Sequence, residues 1–104
     1  MTFVPAGKIS DFPPGAMQAR QIGGKDIAIL RWEGSFYAFS NFCTHEAVTL
    51  TSGYGAVRDG CVICMMHGSV FDVATGEALA GPAAEDLTTY AVHIEGDDVL
   101  VSVD

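Results

Sequence analysis

Cys61-Val62-Ile63-Cys64-Met65-Met66-His67-Gly68-Ser69-Val70-Phe71-Asp72 reads as a strand, a turn and a second strand, with a thiol and an imidazole in the turn. Upstream, Phe39-Ser40-Asn41-Phe42 runs into Cys43-Thr44-His45, a second thiol–imidazole pair at the end of another apolar run. Two loops, each bringing one Cys and one His, suit a metal centre clamped between them at one tip of a β fold. A lone Cys or His is usually a core thiol or a hydrogen-bonded ring. Four soft ligands in two mixed pairs require a stronger explanation.

Two Cys and two His are the ligand set of a [2Fe-2S] centre in which imidazoles replace thiolates on one iron. That replacement matters electrically. With two ferric ions, two sulfides and two thiolates, the oxidised cluster has a formal charge of about zero, and a less negative cluster accepts an electron more readily. A tetrahedral Cys2His2 zinc site uses the same donors. Zinc fingers, however, usually group Cys with Cys and His with His. Cys43, His45, Cys64 and His67 are therefore the candidate metal ligands, with iron–sulfur preferred to a zinc-stabilised interaction module.

The third cysteine, Cys61, makes a CxxC with Cys64. A thiol oxidoreductase would place that motif in a βαβ setting, and the surroundings here are β-rich. Cys61 is expected to be a small buried apolar residue on the strand leading to Cys64. With two of three cysteines assigned to metal, no intrachain disulfide is expected, as in a reducing cytoplasm.

The chain has 104 residues, 5 basic and 13 acidic, for a net charge of −8. That length suits a single domain, 1–104, with one modest core. The acidity argues against nucleic acid and anionic membranes, and favours a basic protein partner. No run approaches the roughly 18 apolar residues of a membrane helix. The N-terminal stretch has no basic region followed by an apolar one. A soluble, cytoplasmic monomer is expected.

Alternation and turn residues predict strands over 3–8, 17–22, 25–32, 36–40, 61–63, 70–72, 87–94 and 99–103. Turns are expected at Gly23-Gly24, Glu33-Gly34, Asp59-Gly60, Thr75-Gly76 and Glu95-Gly96-Asp97. Short strands at this spacing indicate an all-β sandwich or barrel. The 25–32 run, apolar inside and charged at both ends, reads as a half-buried strand. His93 alternates with Tyr90, Val92 and Ile94 and is expected to face solvent. A mononuclear oxygenase iron needs two further His and a carboxylate, and His93 alone remains, so the chain cannot house one.

Cys43-Thr44-His45, Cys64-x-x-His67-Gly68-x-x-Phe71-Asp72, Thr75-Gly76-Glu77 and the Pro82 loop resemble the Rieske-type ferredoxins of bacterial aromatic-ring-hydroxylating dioxygenase systems. The resemblance implies a Rieske (ISP-like) fold of three antiparallel sheets with an inserted cluster-binding subdomain, about 41–81. It implies that Cys43 and Cys64 bind the buried iron and His45 and His67 the outer one. It further implies a one-electron carrier, not an enzyme, between an NAD(P)H-dependent flavoprotein reductase and a terminal oxygenase. The small Rieske-like subunit of a nitrite reductase is the rival within the same fold.

The chain departs from relatives at several places. Met65 stands where many have Pro. Ser69 matches a Ser that bonds a bridging sulfide in high-potential Rieske proteins, but Phe71 replaces the Tyr that bonds a thiolate there. Val48 occupies the place of a cysteine that staples the two loops in those proteins. The missing Tyr implies a potential in the low part of the Rieske range, and Ser69 a small upward offset if its hydroxyl reaches a sulfide. The Ala80-Gly81-Pro82-Ala83-Ala84 segment is read either as a cap over the cluster or as an ordinary surface loop.

Overall fold

Met17–Ile22 (β2), Lys25–Trp32 (β3) and Ser35–Ser40 (β4) form an antiparallel meander, with Met17 opposite Leu30 and Leu30 opposite Tyr37. Its two turns, Gly23-Gly24 (φ 59 and 78) and Glu33-Gly34 (φ 50 and 81), keep both central residues at positive φ. That geometry matches the right-handed twist of the flanking strands. The computed structural model describes residues 2–44, 48–66, 68–81 and 85–103; the side chain of Tyr54 lies outside that description.

Phe3–Lys8 (β1), Thr89–Glu95 (β9) and Asp98–Ser102 (β10) make a second antiparallel group, with β10 in the middle. The two groups join where β4 meets β9, at Ala38–Tyr90 and Phe39–Thr89. The sheet so formed has the order β1-β10-β9-β4-β3-β2. Gly55–Arg58 (β5), Cys61–Cys64 (β6), Ser69–Asp72 (β7) and Ala78–Ala80 (β8) build a separate four-stranded sheet in sequence order. The three expected strand groups are all present and antiparallel. Counted by hydrogen bonding they are two sheets, because the two-pair seam fuses the base groups.

The chain leaves the base at Ser40 and returns at Thr89, and all four candidate ligand residues fall between in sequence. Two cores result. One, between base strands on either side of the seam, packs Phe12, Ile22, Ile27, Ile29, Ala38, Val99 and Val101. The other, between the meander and the four-stranded sheet, packs Ala28, Leu30, Phe39, Leu50, Val62 and Phe71 with both Cys43 and Cys64. β3 feeds both, with Ile27 and Ile29 on one face and Ala28 and Leu30 on the other, all four at 0 % exposure. The expectation of a half-buried strand is therefore corrected. The unbroken Ile-Ala-Ile-Leu run is that of a strand covered on both faces.

Strand ends otherwise differ from the expected ones by a residue or two. β5 and β8 were not expected at all. Both are short edges of the four-stranded sheet, and β8 is Ala-Leu-Ala, a sequence of weak strand preference. Short helical turns at Ile9–Asp11 and Leu50–Tyr54 complete the elements. No helix among the described residues is long and apolar enough to cross a membrane. His93 is exposed, as expected, with its ring centroid 5.7 Å from that of Phe3.

Candidate metal centre

The first ligand loop starts where β4 ends. Cys43 is 4 % exposed. Its N–H donates to the Val48 carbonyl at 3.1 Å, beneath a bridge between Phe42 and Thr49. The loop thus closes on itself like a wide hairpin with the thiol turned inward. The second loop starts at the end of β6, where Cys64 is 1 % exposed. The Gly68 N–H donates to the Cys64 carbonyl at 2.8 Å and closes a tight turn. In that turn Met65 and Met66 are 63 % and 44 % exposed. The two cysteines form no disulfide and pack into one buried cluster. His45, Glu46 and His67 lie outside the described residues, as do Pro82, Ala83 and Ala84.

Cys61 is half-buried rather than buried, which corrects the expectation for it. In a strand, residues three apart point to opposite faces. Val62 and Cys64 take the core face and Cys61 the other. Its partner across the ladder is Asp72. Burial, with the Asp72 and Asp59 carboxylates adding, pushes the Cys61 thiol up from its ordinary range. A protonated thiol facing away from Cys64 is neither a nucleophile nor a disulfide partner for it. The geometry therefore argues against the thiol oxidoreductase reading.

Ser69 lies directly opposite Cys64 in the ladder between β6 and β7 and is fully buried. Directly opposed residues share a face, so its hydroxyl is on the cysteine's side. Phe71 follows on the same face, opposite Val62, and is also fully buried. The redox consequence is testable. Ser69→Ala is expected to lower the midpoint potential and Phe71→Tyr to raise it, since hydrogen bonds to cluster sulfurs raise potential. The whole series should stay within roughly −150 to +300 mV. Redox titration with no downward shift for Ser69→Ala would limit Ser69 to packing.

A third segment touches both loops. The Thr44 hydroxyl donates to the Glu85 carbonyl at 2.7 Å. Gly81, at φ +86, lies so close to the second loop that a Cβ there would sit 2.6 Å from the Gly68 carbonyl oxygen and from Ser69 Cα. The described flanks of the Pro82 loop are thus braced against both ligand loops. Sequence reasoning also passed over Asn41, which anchors the first loop. An Asn two residues before a candidate ligand Cys was the only local sign.

The donors suit the cluster. Two buried thiols on separate loops suit the sulfur half of a mixed ligand set, and no disulfide ties them up. Among the described residues no group of three or more His, Cys, Asp or Glu gathers around a metal position. His45 and His67, the expected imidazole donors, lie outside the described residues.

An antiparallel base carrying a four-stranded sheet, with one buried cysteine on each of two adjoining loops, defines a cluster-bearing β protein. Residues 2–91 match the Rieske [2Fe-2S] domain, and the chain belongs to that family. It is an electron carrier holding a Rieske-type [2Fe-2S] cluster. The ferredoxin component of naphthalene 1,2-dioxygenase/salicylate 5-hydroxylase systems from Ralstonia sp is 35 % identical over 102 residues, covering 98 % of this chain and 96 % of its own. The ferredoxin of carbazole 1,9a-dioxygenase from Nocardioides aromaticivorans IC177 superposes with a TM-score of 0.91 at 29 % identity, over 98 % of each chain. A structure described as a complex of reduced oxygenase and oxidised ferredoxin in carbazole 1,9a-dioxygenase matches with a TM-score of 0.87 at 27 % identity, over 96 % of this chain and 92 % of that one.

Proposed function

We propose that the chain carries one electron at a time from an NAD(P)H-dependent flavoprotein reductase to a terminal Rieske oxygenase that dihydroxylates an aromatic compound. The observation that carries this reading is the pair of buried thiols on facing loops, in a chain alike over its full length to dioxygenase ferredoxin components. Cys43 and Cys64 would hold one iron of the cluster, and His45 and His67 the other. When bound, the cluster supplies a one-electron couple at a potential above that of all-thiolate clusters. The part from 41 to 81 serves as the cluster-binding region. Its sheet shares a core with the meander, which fixes the loops relative to the base. We assign the protein to the cytoplasm as a monomer.

Docking follows from exposure and charge. Phe42, Met65 and Met66, at 44 %, 63 % and 44 % exposure, put apolar surface on the two ligand loops. Methionine adapts readily to a partner's contours. The net charge of −8 draws the protein toward basic patches on reductase and oxygenase. The contact is small, below roughly 1,200 Å² in total, as in other redox encounters.

Stopped-flow electron transfer from the reduced protein to its oxygenase tests both terms. The rate is expected to fall about tenfold or more as salt screens the attraction. Met65→Gln should weaken the encounter at every salt concentration. Glu46→Gln and Glu46→Lys test the charge beside His45. A rate indifferent to salt and to position 46 would leave docking to shape and apolar contact. Failure to reduce any oxygenase, with stable incorporation into a nitrite reductase, would favour that rival.

A further inference from the structure

Asn41 is 1 % exposed, stands between β4 and the first ligand loop, and belongs to no ligand set. Its backbone N–H donates to the Asp26 carbonyl at 3.0 Å, and its carbonyl accepts from the Leu50 N–H at 2.7 Å. Its side-chain Nδ2 donates to Asp26 Oδ1 at 3.0 Å and to Thr51 Oγ1 at 2.8 Å. Its Oδ1 accepts from the Thr51 N–H at 2.9 Å. Both amide protons, the amide oxygen and both backbone groups are thus engaged. A side-chain amide has few ways to satisfy itself so fully in a buried place, so the arrangement specifies one geometry.

What Asn41 joins is informative. Asp26 belongs to β3, in the rigid base. Leu50 and Thr51 begin the helical turn at the far end of the ligand loop. One residue therefore ties the entry of the loop to its exit, and both to the base. Cys43 lies inside the closed loop, two residues beyond Asn41.

We propose that Asn41 is a positioning residue for the cluster. Through Asp26 and Thr51 it holds the first ligand loop in the pose that keeps the cluster bound and sets its electronic environment. The proposal rests on the reading of Cys43 and His45 as ligands. Here the base supplies by hydrogen bonding a restraint on the first loop, in a chain whose three cysteines form no disulfide.

The test uses the holo-protein and variants that leave net charge unchanged. Asn41→Ala removes all three side-chain bonds. Thr51→Val keeps the side-chain shape but leaves one buried Asn41 N–H without its acceptor, and Thr51→Ser keeps the acceptor. Three quantities are read beside the melting temperature: the half-life of the cluster against an iron chelator, the midpoint potential, and the g-values of the reduced protein by electron paramagnetic resonance. Thr51→Val is expected to shorten the half-life about tenfold, as one unsatisfied buried donor would. It should also move or broaden the g-values, and Thr51→Ser should restore both. Asn41→Ala should do more in each, and should shift the potential. If Asn41→Ala does not fold, the Thr51 pair decides. Variants that melt earlier but keep wild-type half-life, potential and g-values would overturn the proposal, leaving Asn41 a purely structural residue. Failure of the ligand reading shows separately, as retention of the cluster by Cys43→Ala or His45→Ala.

Discussion

Cys64→Ala and His67→Ala are expected to abolish the cluster, while Cys61→Ser keeps it. The wild-type protein should be brown and hold two irons and two acid-labile sulfides per chain. The contrast between the two cysteines of one CxxC is the sharp part. Cys64 is on the buried face of β6, among the residues packed with Cys43, whereas Cys61 faces the other way beside Asp72. Iron and sulfide analysis of the three variants, with visible spectra, checks this. A colourless wild-type protein containing zinc, or cluster loss confined to Cys61→Ser, would sink the assignment. Loss of the cluster should also loosen the structure unevenly, because its binding energy is available only to the folded site. Both thiols lie in the core beneath the four-stranded sheet, and neither lies in the base core. Amide exchange in Cys64→Ala should therefore accelerate in β5 to β8 and hardly change in β1 and β10.

Gly81→Ala is expected to be among the most damaging substitutions outside the ligands. Two costs combine. The left-handed φ of +86 alone costs a non-glycine residue about 1–3 kcal/mol. The added Cβ also meets backbone, the Gly68 carbonyl oxygen and Ser69 Cα at 2.6 Å. Backbone at the foot of the second ligand loop cannot swing away as a side-chain tip can. Gly24→Ala is the control, since Gly24 has φ +78 and nothing within 4 Å of a Cβ. Thermal unfolding of both holo-proteins should show the greater loss for Gly81→Ala. Cluster release should quicken in that variant alone. Equal losses, with unchanged cluster release in both, would mean that the third segment does not brace the second loop.

The chemistry was legible early because it is local. Cys43-Thr44-His45 and Cys64-Met65-Met66-His67 advertise a ligand set by residue type and order, whatever surrounds them. β2 and β3 could likewise be bounded from their own residues, since paired turn residues and charge mark their ends. Asp59-Gly60, with φ 51 and 76, makes its hairpin turn as its composition indicates.

Other features stayed hidden because their meaning lies in distant partners. β8 is a strand only because β7 offers it Val70 and Phe71 to pair with. Asn41 is unremarkable in sequence, for its bonds reach 10 and 15 residues away to Thr51 and Asp26. Gly81 matters through a clearance against Gly68 and Ser69 that no window of sequence displays.

The β class, the acidic charge and most strand positions could be read from the sequence, as could the candidate donor residues, because all follow from side-chain chemistry and short-range alternation. Only the tertiary structure decided that β3 is buried on both faces, that Cys61 turns away from Cys64, and that Ser69 stands beside it. It likewise decided that Asn41 and Gly81 hold the ligand loops. Those are matters of which face a strand presents and what packs against it, and packing is fixed by contacts between segments far apart in the chain.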